Sequence, residues 1–278
     1  MTPQDRVHEL GLSPPFVYGT AWKEDRTEAL VRHALDAGFR AIDTANQRKH
    51  YFEAGVGAAI RPFLEGGRRD ELFLQTKFTF RAGQDDRLPY DPGAPVATQV
   101  QQSFALSLEH LGVDHLDSLV LHGPSQRPGL GSADREAWAA LEAVHDAGGT
   151  RVLGVSNITA EQLRTLLGFA RVKPTFVQNR CYASQQWDAE VRAVCAEHGL
   201  VYQGFSLLTA NRALWNHPVV AQIARDHGLI PAQVIFAVAR SLGILPLTGT
   251  SDPRHMARDL AVLDTVLPDD RVQQVLAI

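Results

Sequence analysis

Short apolar runs alternate along this chain with amphipathic helical stretches that close at or near glycine, and the alternation repeats with no break in composition. Strands are read at residues 16–18, 41–43, 72–77, 116–122, 151–156, 176–179, 201–205 and 244–247, eight in all. Between them, RTEALVRHALDAGF places Leu30, His33, Ala34, Ala37 and Gly38 at helical spacing, and Gly38 supplies the stop. APVATQVQQSFALSLEHLG, DREAWAALEAVHDAGG, TAEQLRTLLGFA, AEVRAVCAEHG and PAQVIFAVARSLG repeat the pattern. Glycine tolerates the left-handed cap that returns the chain to the next strand. Such a repeat predicts an α/β fold, a closed (β/α)8 TIM barrel, with residues 1–278 forming a single domain. A doubly wound sheet would carry GxGxxG after its first strand, and here that turn reads YGTAWKED.

Composition narrows the function. Hydrophobic residues make up 45% and charged residues 21%, ordinary for a chain that buries a sizeable core. A net charge of −4 and the lack of a Lys/Arg cluster with interleaved aromatics argue against a nucleic-acid partner. The start, MTPQDRVHELGL, has no signal pattern and no apolar run is long enough to cross a bilayer, so the expectation is a cytoplasmic enzyme with no membrane partner. Cys181 and Cys195 lack zinc spacing and read as thiols; His50, His110, His115, His198 and His227 show no ligand spacing, so no metal is expected.

Four polar residues stand at or just past the ends of apolar runs: Asp43 in FRAIDTA, Tyr51 in KHYFEAG, Lys77 in ELFLQTKF and His122 in LDSLVLHGP. Taken singly, Asp43 reads as a turn cap, Lys77 as a strand-end lysine and His122 as a loop histidine. In a barrel, however, Phe73, Gln75 and Lys77 share one strand face, as do Ser118, Val120 and His122, and catalytic groups collect at the carboxyl ends. Neighbouring strands lie about 4.8 Å apart, so these groups come within mutual reach. An acid, a phenol, an amine and an imidazole together form a proton-handling site.

At these residues the chain resembles the aldo-keto reductases, barrel enzymes that reduce carbonyls with NADPH without a Rossmann domain. The resemblance runs from about residue 18 to about residue 260 and rests on GFRAIDTA, EAGVGAAI, ELFLQTK, SLEHLGVDHLDSLVLHGP, RVLGVSN, FVQNR and PLTGTSDPRHMARDL, in that order. It implies a catalytic tetrad of Asp43, Tyr51, Lys77 and His122. Tyr51 would give a proton to the carbonyl oxygen, Lys77, held by Asp43, would lower the phenol pKa, and His122 would orient the substrate. The family tyrosine usually stands five residues after the aspartate, where this chain has Arg48; Tyr51 stands eight after it, behind a small insertion. Both positions remain candidates, and the need for a titratable hydroxyl favours Tyr51.

The same resemblance implies that Ser156, Asn157 and Gln178 hold the nicotinamide carboxamide, that Phe205 stacks on the ring, and that Ser206 and Leu208 meet the pyrophosphate. Gly19 and Thr20 would line the cofactor and Trp22 the substrate. In the last loop, Gly249, Thr250, His255 and Asp259 replace the family's usual lysine, serine, arginine and asparagine, with Arg254 and Arg258 nearby as substitute cations. NADPH is expected in preference to NADH. The family's long carboxyl-terminal loop reads as largely missing, implying an open pocket for a small carbonyl substrate, in a monomer or weak oligomer. Two alternatives stand beside this reading: a cofactor-sensing interaction subunit with little turnover, and a non-redox isomerase or cyclase on the same barrel.

Overall fold

The computed structural model describes residues 3–278. Eight parallel strands close on themselves in sequence order: β1 (Val17–Gly19), β2 (Ala41–Asp43), β3 (Phe73–Phe78), β4 (Leu116–Leu121), β5 (Thr150–Ser156), β6 (Phe176–Arg180), β7 (Val201–Phe205) and β8 (Leu245–Thr248). A helix α1 (Pro3–Glu9) precedes them. One helix follows each of the first six strands: α2 (Thr27–Ala37), α3 (Glu53–Glu65), α4 (Val96–Leu111), α5 (Ser132–Asp146), α6 (Ala160–Phe169) and α7 (Ala189–His198). After β7 come α8 (Arg212–Trp215), α9 (Pro218–Asp226) and α10 (Pro231–Ser241), and after β8 come α11 (Pro253–Ala261) and α12 (Asp269–Leu276). The barrel expected from the strand and helix alternation is the fold observed.

Gly38 and Gly112 end α2 and α4 with φ of 110° and 70°, backbone that a side chain rarely adopts. The α6 unit differs from the sequence reading, since Gly168 lies inside that helix and the buried, extended Ala170 ends it. Helix α3 is not among the helical patterns read in the sequence, and Gly55, Gly57 and Pro62 lie inside it. Packing explains one of these: a Cβ on Gly57 would come 2.0 Å from the His110 carbonyl oxygen of α4.

Alternation along each strand separates two cores. Outward residues such as Tyr18, Ile42, Leu74 and Leu119 pack with Phe39 from the turn after α2 and with Val56, Ile60 and Trp138 from the helices. Inward residues Val17, Ala41, Phe73, Phe176, Val201 and Leu245 fill the floor of the lumen, with Val7 and Leu12 packed beneath. Phe73 and Phe176 meet edge to face at 5.7 Å and close that floor. The layer above is polar: Asp43, Gln75, Gln178 and Gln203. Among the described residues, no helix is long and apolar enough to cross a membrane.

Candidate active site

Lys77 is buried at the upper end of β3, and its ammonium donates to both carboxylate oxygens of Asp43 and to the Thr44 carbonyl, each at 2.7 Å. Three acceptors match three donors, which is what a buried ammonium requires. The Nζ also stands 5.1 Å from the centre of the Tyr51 ring, whose plane meets the His122 imidazole edge-on at 5.8 Å. The insertion before Tyr51 thus carries the phenol back to the lysine. Arg48 takes another course: its guanidinium covers the Phe52 ring at 4.5 Å and borders a second cavity that Glu53, Arg87, His110 and also Tyr51 line.

His122 follows β4 and is tied through Asn157, whose amide donates to the His122 carbonyl at 2.8 Å. The Thr79 hydroxyl lies 2.6 Å from His122 Nδ1 and has no other acceptor among the described residues. A hydroxyl that donates to Nδ1 leaves the ring proton on Nε2. Burial lowers the imidazole pKa to about 3, reinforced by the nearby Lys77 ammonium and by His50, so the ring is neutral. Tyr51 departs from the expectation that Lys77 lowers its pKa. Burial pushes the phenol above its ordinary value and the Asp43 carboxylate pushes the same way. The ammonium's charge is matched by Asp43 at contact distance, so it has little left to offer the phenol. Burial likewise lowers Lys77 itself, opposed by Asp43.

A cavity of about 660 Å³ opens over these residues at the carboxyl ends of the strands. Asp43, Tyr51 and His122 line it together with Gly19, Trp22, Ser156, Asn157, Gln178, Phe205, Ser206, Leu208, Gly249, Thr250 and His255. Thr20, Arg254 and Asp259 lie off its wall. The Thr20 hydroxyl donates to the Asp43 carbonyl, exposed Arg254 pairs with Asp252, and Asp259, pushed up to about 7 by burial, accepts from Thr248. Trp22, Asn157 and Ser206 all have φ between 53° and 63°. Left-handed backbone at non-glycine residues costs roughly 1–3 kcal/mol each and clusters where a ligand is held.

Lys23, Arg180 and Trp215 escaped the sequence reading, whereas His50, read as the histidine closest to the site, does line the cavity. Lys23 is buried, and its Nζ donates at 2.6 Å to the carbonyl of Gly249, the position where the family often carries lysine. Burial, with Arg26 adding to it, lowers this ammonium to about 8. His50 stacks under Trp22 at 3.8 Å, and the Trp22 amide donates to the His50 carbonyl at 2.7 Å. Arg180 lies over the Phe205 ring at 5.7 Å, and Trp215 stands half-exposed at the mouth. The Lys23 contact joins loops 226 positions apart, which no local pattern in the sequence links.

The model of the aldo/keto reductase family matches residues 15–278. This chain belongs to that family. An aldo-keto reductase of Mycolicibacterium vanbaalenii is 34% identical over 245 residues, covering 88% of this chain and 80% of the relative. Another, from Mycolicibacterium paratuberculosis, is 32% identical over 275 residues, covering 98% and 88%. Among solved structures, an aldo/keto reductase from Brucella melitensis superposes with a TM-score of 0.79 at 25% identity, over 95% of this chain and 94% of that one. A silkworm aldo-keto reductase complexed with NADPH gives 0.80 at 24% identity, over 95% and 84%, and shares the fold.

The wall suits a carboxamide-bearing ring. Ser156 Oγ donates to the Gln178 carbonyl, and the Asn157 amide donates to His122 and to Ser156 Oγ. Those donors are thereby engaged, and among the described residues Asn157 Oδ1 and Gln178 Oε1 accept nothing. Two free acceptors at one wall fit an –NH2 group, and Phe205 offers an aromatic face beside them.

Proposed function

We propose that this chain is an NADPH-dependent carbonyl reductase that converts aldehydes, ketones, keto esters or keto amides to alcohols. The observation that carries this reading is the convergence of a Lys77–Asp43 ion pair, the Tyr51 phenol and a neutral His122 at one cavity. When bound, the reduced nicotinamide supplies the hydride that goes to the carbonyl carbon. Tyr51 is the general acid. Its raised pKa keeps the proton in place through the neutral range, ready for the carbonyl oxygen as negative charge develops there. His122, with its proton on Nε2, points a second donor at that oxygen without adding a charge.

The rest of the cavity fits the cofactor. Ser156, Asn157 and Gln178 hold the carboxamide, Phe205 stacks on the ring, Ser206 and Leu208 border the pyrophosphate, and Gly249, Thr250 and His255 line the far end. Lys23, reaching Gly249 from the β1 loop, supplies the cation for the 2′-phosphate, so NADPH is preferred to NADH. Trp22 is 68% exposed and Trp215 41%, and these two indoles flank the mouth, which suits apolar or aromatic carbonyl compounds. The test is Tyr51→Phe assayed against a panel of small aldehydes and ketones. Turnover is expected to fall at least about 100-fold, the general-acid contribution, with NADPH binding retained. Undiminished turnover would remove Tyr51 from the mechanism.

A further inference from the structure

The lumen layer beneath the cavity departs from the branched apolar packing usual in such barrels, and its hydrogen bonds form a closed ring. Gln75 Nε2 donates to Asp43 Oδ1 at 2.7 Å and to Gln203 Oε1 at 2.9 Å. Gln178 Nε2 donates to the same two oxygens, at 3.0 and 2.9 Å. Gln203 Nε2 returns a bond to Gln75 Oε1 at 3.3 Å. Gln75 and Gln203 are 1% and 0% exposed, and neither lines the cavity, whereas Asp43 and Gln178 do.

The orientation of all three amides follows from one charge. The Asp43 carboxylate, paired with Lys77, only accepts, so Gln75 and Gln178 must both turn Nε2 towards it. Each amide nitrogen then has one N–H left, and both of these reach the same atom of Gln203, which must be its oxygen. A Gln178 amide flipped end for end would set its one oxygen against both Asp43 Oδ1 and Gln203 Oε1, each contact a repulsion in a buried, low-dielectric layer. The flip is therefore closed, and Gln178 Oε1 is the atom left over for the cavity.

Building on the dinucleotide reading above, we propose that Gln75 and Gln203 are positioning residues: with Asp43 they lock the Gln178 amide so that it offers the cofactor an acceptor only. The site then selects a nicotinamide bearing a carboxamide –NH2 and discriminates against a ring whose side group cannot donate. Neither glutamine need touch the cofactor for this to hold.

The test compares NADP⁺ with its 3-acetylpyridine analogue, which carries a methyl in place of the –NH2, by quenching of tryptophan fluorescence. The proteins are the wild type, Gln75→Met, Gln203→Met and Gln203→Glu. The wild type is expected to bind the carboxamide form about five-fold more tightly, the order of one net hydrogen bond. In both Met variants the preference falls towards about two-fold, the accuracy of such a comparison, because Asp43 alone then orients Gln178: the Gln203 acceptor is gone in one variant and its amide is free to turn in the other. Gln203→Glu keeps it, since a protonated carboxyl accepts the same two N–H groups through its carbonyl oxygen and donates to Gln75 through its hydroxyl. A merely structural role would lower the melting temperature of the Met variants and leave the preference intact, which overturns the inference. Equal binding of the two dinucleotides by the wild type, or loss of preference in Gln203→Glu, also overturns it and leaves the reductase reading standing. Failure of the wild type to bind either dinucleotide removes both.

Discussion

The ammonium of Lys77 gives all its donors to Asp43 and Thr44, so its value to the neighbouring phenol is in placement more than in charge. A lysine that lowers the tyrosine pKa is what proximity alone suggests, and burial reverses the sign. Lys23 is the cation whose charge remains available. Its pKa is lowered to about 8, below the ordinary lysine value, so the charged form predominates below that pH and is lost as pH rises through it. NADPH affinity of the cofactor-free protein is therefore expected to weaken as pH rises from about 7 to about 9, through the value of about 8 set by burial. Lys23→Met should bind roughly 10-fold or more weakly below that window, the loss of one charge-assisted contact, and show no such dependence. Fluorescence titrations at each pH measure both. A wild-type affinity that stays level across the window would take Lys23 out of phosphate binding.

Helix α3 shows how an element serves the site without touching substrate. It begins at Glu53, a buried carboxylate that accepts from Thr76 on β3 and, at 3.0 and 3.1 Å, from Ser107 Oγ and His110 Nδ1 on α4. These contacts fix the loop carrying Tyr51 against the strand carrying Lys77. Gly57 lets α3 approach α4 closely enough to make them, since any Cβ there collides with the His110 carbonyl. Gly57→Ala is expected to destabilise the fold by about 1–3 kcal/mol or more through overpacking, and to lower turnover beyond the loss of folded protein as Tyr51 shifts. Denaturant unfolding beside activity per folded molecule separates the two effects. An alanine variant as stable as the wild type would mean that the helices simply move apart. The motif EAGVGAAI was visible in the sequence as part of the family resemblance, but not why Gly57 stands in it, because propensity is local and the reason lies on another helix.

At the scale of the molecule, what could be read in advance was whatever repeats locally. Strands such as 41–43 and 201–205 declared themselves by apolar runs, and Asp43 and Lys77 by standing where those runs stop. The Lys23 contact with Gly249 spans 226 positions, and the Gln75 contact with Gln203 spans 128. No periodicity within a window reaches that far; only barrel closure brings such residues together. Closure also makes the cavity a joint between the first and last strands, because β1 pairs with β8 and Lys23 clasps the β8 loop across that seam. A dinucleotide binding there bridges the seam and favours the closed barrel over the unfolded chain by mass action. At about 100 times its dissociation constant, NADPH should add about 2.7 kcal/mol. That corresponds to a rise in melting temperature of roughly 5 °C for a chain of this size. NADH at the same concentration should give a smaller rise, and Lys23→Met should bring the two shifts together. Thermal unfolding with each cofactor measures this, and equal shifts in the wild type would show that the clasp across the seam does not recognise the 2′-phosphate.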